Sequence, residues 1–255
     1  MPVREGFFAF LEDVSMPGDG FALMGGAHLA MLGLMAVLIA ALCVFYKRLA
    51  PGKRRTMIRA IAIATLTLET AKQLSLPIIH KQYWVEQLPL HLCGLSIAIE
   101  FIHAFFPGKT SGEILYSLGL PGAVAALMFS NWSMYPLANF YCLQSFFIHA
   151  LHVAFPLMLL IAGELKPQAK QLWRVALFLA FAAIPIYYIN TQLSTNFFFI
   201  NAGSEGSPLE IFINWLGAPW FLLPYAGLVA FIWLLMYTPW VLKNMKTKKA
   251  RDIPA

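Results

Sequence analysis

Between Leu88 and His103 the chain reads LPLHLCGLSIAIEFIH, an apolar run that nonetheless carries His91, Cys93, Ser96, Glu100 and His103. Thiol, imidazole and carboxylate are the groups from which nucleophilic and acid–base chemistry is made. Pro89 suits the first position of a helix, where its missing N–H costs nothing. In a helix begun there, Cys93, Ser96, Glu100 and His103 follow at spacings of three, four and three and share one face. His91 lies about 200° round from Cys93 and faces elsewhere. A second run, YCLQSFFIHALHVAFPLMLLIAG, aligns Cys142, Ser145, His149, His152 and Pro156. A third sets Thr65, Glu69, Lys72 and Gln73 on one face, and a fourth ends in Tyr187, Tyr188, Asn190, Thr191 and Gln192.

Nucleophilic catalysis by a thiol needs a thiolate, a base and a place for developing negative charge, and it needs no metal or cofactor. Cys93, in the second turn of its helix, sits near the positive end of the helix dipole. His91 is on the wrong face of a regular helix to deprotonate it, so His149 is the better base. Glu69, Asn190 and Asn196 are each candidates to orient that histidine. Blander readings stand beside this one. Glu69 and Lys72 fit a local ion pair, Cys93 fits a small buried hydrophobe, and His28 fits a core histidine bonded to a neighbour. A cavity lined by Glu69, Lys72, Glu100 and His152 would equally serve a transporter or lipid-binding protein without chemistry. His91, His103, His149 and His152 lie on two runs, as haem ligands do, but the pairs are 12 and 3 residues apart and fit one haem at most. Glu100 and His103 form a single ExxH, too little for a di-iron bundle.

The elements that carry these residues are membrane helices. The 255 residues are 60% hydrophobic and 12% charged, with a mean hydropathy of +0.69. Soluble domains carry about 25% charged residues, so this is an all-α, polytopic membrane bundle. Seven spans of about 20 residues are expected, at 22–46, 57–79, 88–106, 113–130, 141–163, 170–193 and 219–242. The fourth has the weakest boundaries. Of the 18 basic residues, six fall between the first two spans, one after the third, three after the fifth and five in the tail, all on one side. The positive-inside rule then makes residues 1–21 an extracytoplasmic segment, 22–242 a seven-helix domain and 243–255 a basic cytoplasmic tail. The net charge of +6 belongs to this loop asymmetry and calls for no nucleic acid. Cys43, Cys93 and Cys142 all lie in apolar segments and form no disulfide framework.

Between the last two spans runs a long loop, STNFFFINAGSEGSPLEIFINWLGAPW. Ser207-Pro208-Leu209-Glu210 has capping-box spacing, so a short amphipathic helix with Ile211, Phe212, Trp215 and Leu216 should follow and stop at Gly217. It is expected in the outer interface as a lid. The basic tail is expected to meet anionic lipid.

LPLHLC at 88–93, FFIHALHV around His149, Asn190 followed by Thr195-Asn196, and Gly217-Ala218-Pro219-Trp220 occur together in this order. In this the chain resembles the YwaF-like bacterial membrane proteins, related to the eukaryotic transmembrane protein 164, over roughly residues 60–235. It departs at the last element, where the family has a second tryptophan between glycine and proline-tryptophan. The eukaryotic relative is regarded as a phospholipid acyltransferase with a cysteine nucleophile. The resemblance implies that Cys93 holds the nucleophile position and His149 the partner position, with His91, Glu69, Asn190, Asn196 and Trp220 in support. It implies membrane phospholipids and lysophospholipids as partners, and the bacterial inner membrane as location.

Overall fold

The computed structural model describes residues 7–8, 20–75, 85, 88–204 and 206–251. Most of the 1–21 segment and the last four residues of the tail therefore lie outside the described residues. Helices α1 (Gly26–Arg48), α2 (Pro51–Ser75) and α3 (Leu92–Phe105) are followed by a continuous helical stretch of three parts. These are α4 (Lys109–Ile114), a π segment (Leu115–Gly119) and α5 (Leu120–Met128). Then come α6 (Phe140–Ile161), α7 (Leu172–Leu193), the short α8 (Pro208–Leu216) and α9 (Leu222–Arg251). There is no strand among the described residues.

Each of the seven expected spans contains a helix. Five helices are long and apolar enough to cross a membrane: α1, Lys109–Met128, α6, Ala169–Leu193 and Leu222–Met245. The other two differ for opposite reasons. α2 is 25 residues long but carries Lys53, Arg54, Arg55, Arg59, Glu69 and Lys72. α3 is apolar but only 14 residues long.

α6 is the axis of the bundle, packed by α1, α2, α3 and α5. Its start is fixed by Asn139, whose side chain accepts the N–H groups of Tyr141 and Cys142, an N-cap that satisfies donors with no partner inside the helix. α1 meets it through Met35 and through His28. His28 is a core histidine, as expected: Nδ1 accepts from the Met24 N–H and Nε2 donates to Leu127 O, at 3.0 and 2.9 Å. At the opposite end Tyr46 donates to Glu164 at 2.6 Å and Arg54 pairs with the same carboxylate at 3.3 Å, joining the α1–α2 turn to the end of α6.

The π segment has a local cause. Pro121 has no N–H to give to Ser117 O four residues earlier, and the Leu120 N–H reaches back five residues to Leu115 O. The freed Ser117 carbonyl is taken by the Trp233 indole N–H of α9 at 2.9 Å. Around it Trp240 donates to Tyr116, Tyr116 to Met236 O, and Tyr237 to the Glu113 carboxylate. Between helices in lipid there is no water to expel, so directional bonds of this kind carry the contact.

The short helix expected after Ser207 forms as α8, but its cap is not the reciprocal box. Ser207 accepts the Leu209 N–H, and Glu210 reaches back to the Gly206 N–H rather than to that of Ser207. α8 ends at Gly217 with φ +68°. Ile211 and Trp215 are strongly exposed, and Leu209 is buried.

Candidate active site

α3 does not begin at Pro89. Leu88 to Leu90 form a turn, His91 is the N-cap with extended backbone, and Leu92 is the first helical residue. The turn folds back over the helix start so closely that a Cβ at Gly94 would stand 2.4 Å from Pro89 O. Glycine is therefore required at 94. Two consequences correct the reading from spacing. His91 is not on the helix, so the 200° argument does not apply to it. Cys93 lies in the first turn, where backbone N–H groups have no partners within the helix.

The shared face of α3 holds as expected: Ser96 and Glu100 are buried, and Cys93 is partly so. Ser96 is turned to its own helix, donating to Leu92 O. Glu100 meets α6: its carboxylate lies 2.8 Å from His152 Nδ1, and Thr65 of α2 donates to its other oxygen at 3.4 Å. That bond sets the register of two helices running the same way. Cys93 is seven residues before Glu100 and His149 three before His152, so the two are offset by about 6 Å along the bundle.

His149 is 8% exposed. Its Nδ1 lies 2.7 Å from Ser145 O. A carbonyl can only accept, so Nδ1 carries the hydrogen and the neutral ring keeps its lone pair at Nε2, the form of a general base. Trp132 stacks on the ring at 4.9 Å and 17°, and His152 stands edge-on to it at 6.0 Å. None of the three candidates for orienting His149 occupies that role, because its own helix backbone, four residues earlier, supplies the bond.

Glu69 and Lys72 form the local pair, at 2.9 Å. The carboxylate also receives Gln73 at 2.9 Å and Gln144 of α6 at 3.2 Å, so the pair ties α2 to α6 one helical turn above His149.

Asn190 and Asn196 build the loop instead. The buried Asn190 side chain donates to Phe197 O and Asn201 Oδ1 and accepts from the Phe197 N–H and Thr195. Asn196 donates to the carbonyls of Ala202 and Gly203. Together they hold Phe197–Phe199 against the start of α3, with His91 ringed by Phe197 at 5.1 Å and Phe199 at 5.2 Å. Phe198 and Phe199 both adopt positive φ, +60° and +54°, a conformation that L-residues other than glycine rarely take and that must be held by its surroundings. Trp220, by contrast, is 64% exposed in the turn before α9, which suits the bilayer interface better than a closed site. Trp132 and Gln144 are the site residues that the spacing argument missed. Trp132 sits in an inter-span loop, where tryptophan is the ordinary residue of a membrane interface.

These features define a helical integral membrane protein in which buried polar contacts join α2, α3 and α6, with the 194–203 loop set on the start of α3. The chain belongs to the TMEM164 family, whose profile matches residues 23–237 and so takes in every residue of the site. No curated protein and no solved structure matches it.

Proposed function

We propose that the chain is a bacterial inner-membrane lipid acyltransferase working through an acyl-cysteine, and that all seven expected spans cross the bilayer with the site toward the outer leaflet. The observation that supports the reading is an imidazole held in its basic tautomer, with His149 Nδ1 on Ser145 O at 2.7 Å, within about 6 Å along the bundle of the partly buried Cys93 thiol in the first turn of α3. Its partners would be membrane glycerophospholipids and lysophospholipids, with anionic lipid at the basic end of α9.

In this reading His149 Nε2 takes the Cys93 proton and the sulfur attacks the ester carbonyl of a glycerophospholipid. The C–O bond breaks, the leaving alkoxide receives the proton from His149, and a lysolipid departs. The acceptor hydroxyl then gives its proton to His149 and attacks the thioester, the C–S bond breaks, and the thiol is reprotonated. No electrons are exchanged with a third party. Phe197–Phe199 would close over the headgroup while the apolar bundle takes the chain.

The test compares native lipids co-purifying with wild type and Cys93→Ala by mass spectrometry, and follows transfer from a 13C-acyl phosphatidylcholine to a lysophospholipid in detergent. Wild type should carry an acyl adduct at Cys93 and turn over, and Cys93→Ala should do neither while folding normally. Cys43→Ala and Cys142→Ala should remain active. Full transfer by Cys93→Ala would remove the thiol from the mechanism and leave lipid binding or transport.

A further inference from the structure

Three contacts define the surroundings of the His149 ring. Nδ1 donates to Ser145 O at 2.7 Å, Trp132 lies flat against one face with centroids 4.9 Å apart and planes 17° from parallel, and His152 stands edge-on at 6.0 Å. His149 and Trp132 are 8% and 6% exposed, so little water reaches either ring. A base in such a place meets a difficulty when it does its work. On taking a proton the imidazole becomes a cation, and a buried cation needs a partner. Where an imidazole serves a nucleophile, a carboxylate bonded to its other nitrogen ordinarily steadies that charge. Among the described residues no carboxylate is bonded to His149: Glu69 is taken by Lys72, Gln73 and Gln144, and Glu100 by His152 and Thr65. What remains beside the ring is the indole face.

That face is the negative part of the ring's quadrupole, and tryptophan holds a cation better than any other aromatic side chain, within about 6 Å of its centroid. The stack at 4.9 Å is inside that range. Its geometry is set before any substrate arrives. Phe146 of α6 meets the indole at 5.4 Å and 88°, and the Tyr135 N–H donates to Trp132 O within the loop between α5 and α6. The charge of an imidazolium is spread over the whole ring, so the contact does not depend on which nitrogen the arriving proton joins.

We propose that Trp132 carries on its π face the positive charge that His149 acquires when it deprotonates Cys93. Trp132 acts through His149 and is a positioning residue of the reaction. This rests on the acyltransferase reading and gives the base the support that a carboxylate supplies elsewhere. The proton leaves Cys93 Sγ and binds His149 Nε2, the pair becomes thiolate and imidazolium, and the indole meets the imidazolium. No bond to Trp132 forms, and nothing is oxidised or reduced.

The test replaces Trp132 in the full-length protein by tryptophans bearing one, two and three ring fluorines, inserted by nonsense suppression. Each fluorine draws charge from the ring face and leaves the size of the side chain nearly unchanged, so packing and folding are kept. Transfer of the 13C-acyl group is measured beside wild type and Cys93→Ala. A desolvated contact of this kind is worth roughly thirtyfold, so kcat should fall stepwise with each fluorine, to about a tenth or less for the trifluoro ring, with KM changed less than about threefold. Trp132→Phe, which keeps a weaker face, should retain more activity than Trp132→Leu. A kcat independent of fluorination, while Cys93→Ala is inactive, overturns this inference alone. So does a kcat that rises, because fluorine strengthens the indole N–H as a donor and a rise would put that N–H, not the face, to use. A loss confined to KM overturns it as well. Transfer retained by Cys93→Ala strikes instead at the acyl-cysteine reading, and this inference falls with it.

Discussion

Replacing Glu69 by alanine takes one carboxylate away from three donors at once: Lys72, Gln73 and Gln144. The Lys72 ammonium is then left without a counter-charge, and α2 loses one of its bonds to α6, the Ser75–Tyr141 contact at 3.1 Å remaining. Breaking a buried pair by removing one partner costs about 3–5 kcal/mol, and a lone lysine at the centre of a span about 2.5–3.5 kcal/mol. The side chains here are 13% and 24% exposed, and a lysine this near a helix end can reach toward the interface. This partial exposure brings the cost below both ranges, to about 2 kcal/mol, which corresponds to a fall in Tm of roughly 4–8 °C. Thermal unfolding in detergent, followed by intrinsic tryptophan fluorescence, measures it. The decisive comparison is Glu69→Leu/Lys72→Met. With both charges gone no lone charge remains, so the double variant should recover at least half of the lost Tm. A Glu69→Ala protein as stable as wild type, or a double variant less stable than the single, would refute the reasoning. Unchanged stability with lost transfer would move Glu69 from support to chemistry.

Gly94→Ala should be destabilising by about 1–3 kcal/mol, because the new methyl meets backbone of the Leu88–Leu90 turn rather than a side chain that can swing away. Thiol alkylation of Cys93 in the same variant should change rate several-fold, and an unaltered rate would mean that the turn does not shape the thiol's access. Asn190→Ala should free the 194–203 loop, since one buried amide carries four of its hydrogen bonds, worth about 2–4 kcal/mol together. Hydrogen exchange should rise over 195–201 and stay level in α6, whereas a uniform rise would make Asn190 a global rather than a local support. A C-terminal alkaline phosphatase fusion should be inactive, with activity there reversing the proposed orientation.

The helical bundle was legible because lipid permits few alternatives: a chain this apolar, with charge gathered into alternate loops, can only be a set of spanning helices. The face of α3 was legible for the same reason, since Ser96 and Glu100 obey helical period once the helix is under way. The helix start was not. Pro89 is a good first residue by propensity, but the turn around it is fixed by the approach of its carbonyl to Gly94, a contact no local rule encodes. The Glu69–Lys72 pair is local at three residues and was readable. The Glu100–His152 bond, spanning 52 positions, needed the helices in place, and so did the stacking of Trp132. Asn190 and Asn196 were singled out to orient His149 and instead hold the 194–203 loop. Their partners are backbone groups of a loop whose path the sequence does not state.

The seam between α9 and the π segment has a consequence for the order in which the protein is assembled. Ser117 O is available to Trp233 only because Pro121 has disrupted the ladder there, and Glu113 is available to Tyr237 only once α4 has formed. The last helix is thus offered attachment points for its second half by a stretch made about a hundred residues earlier, while near its start Tyr225 is held separately by Phe198 O at 3.3 Å. A ribosome delivering α9 presents a helix whose second half tests whether the fourth stretch has taken its bulged form. A protein misfolded in that stretch would leave Trp233, Trp240 and Tyr237 without these partners.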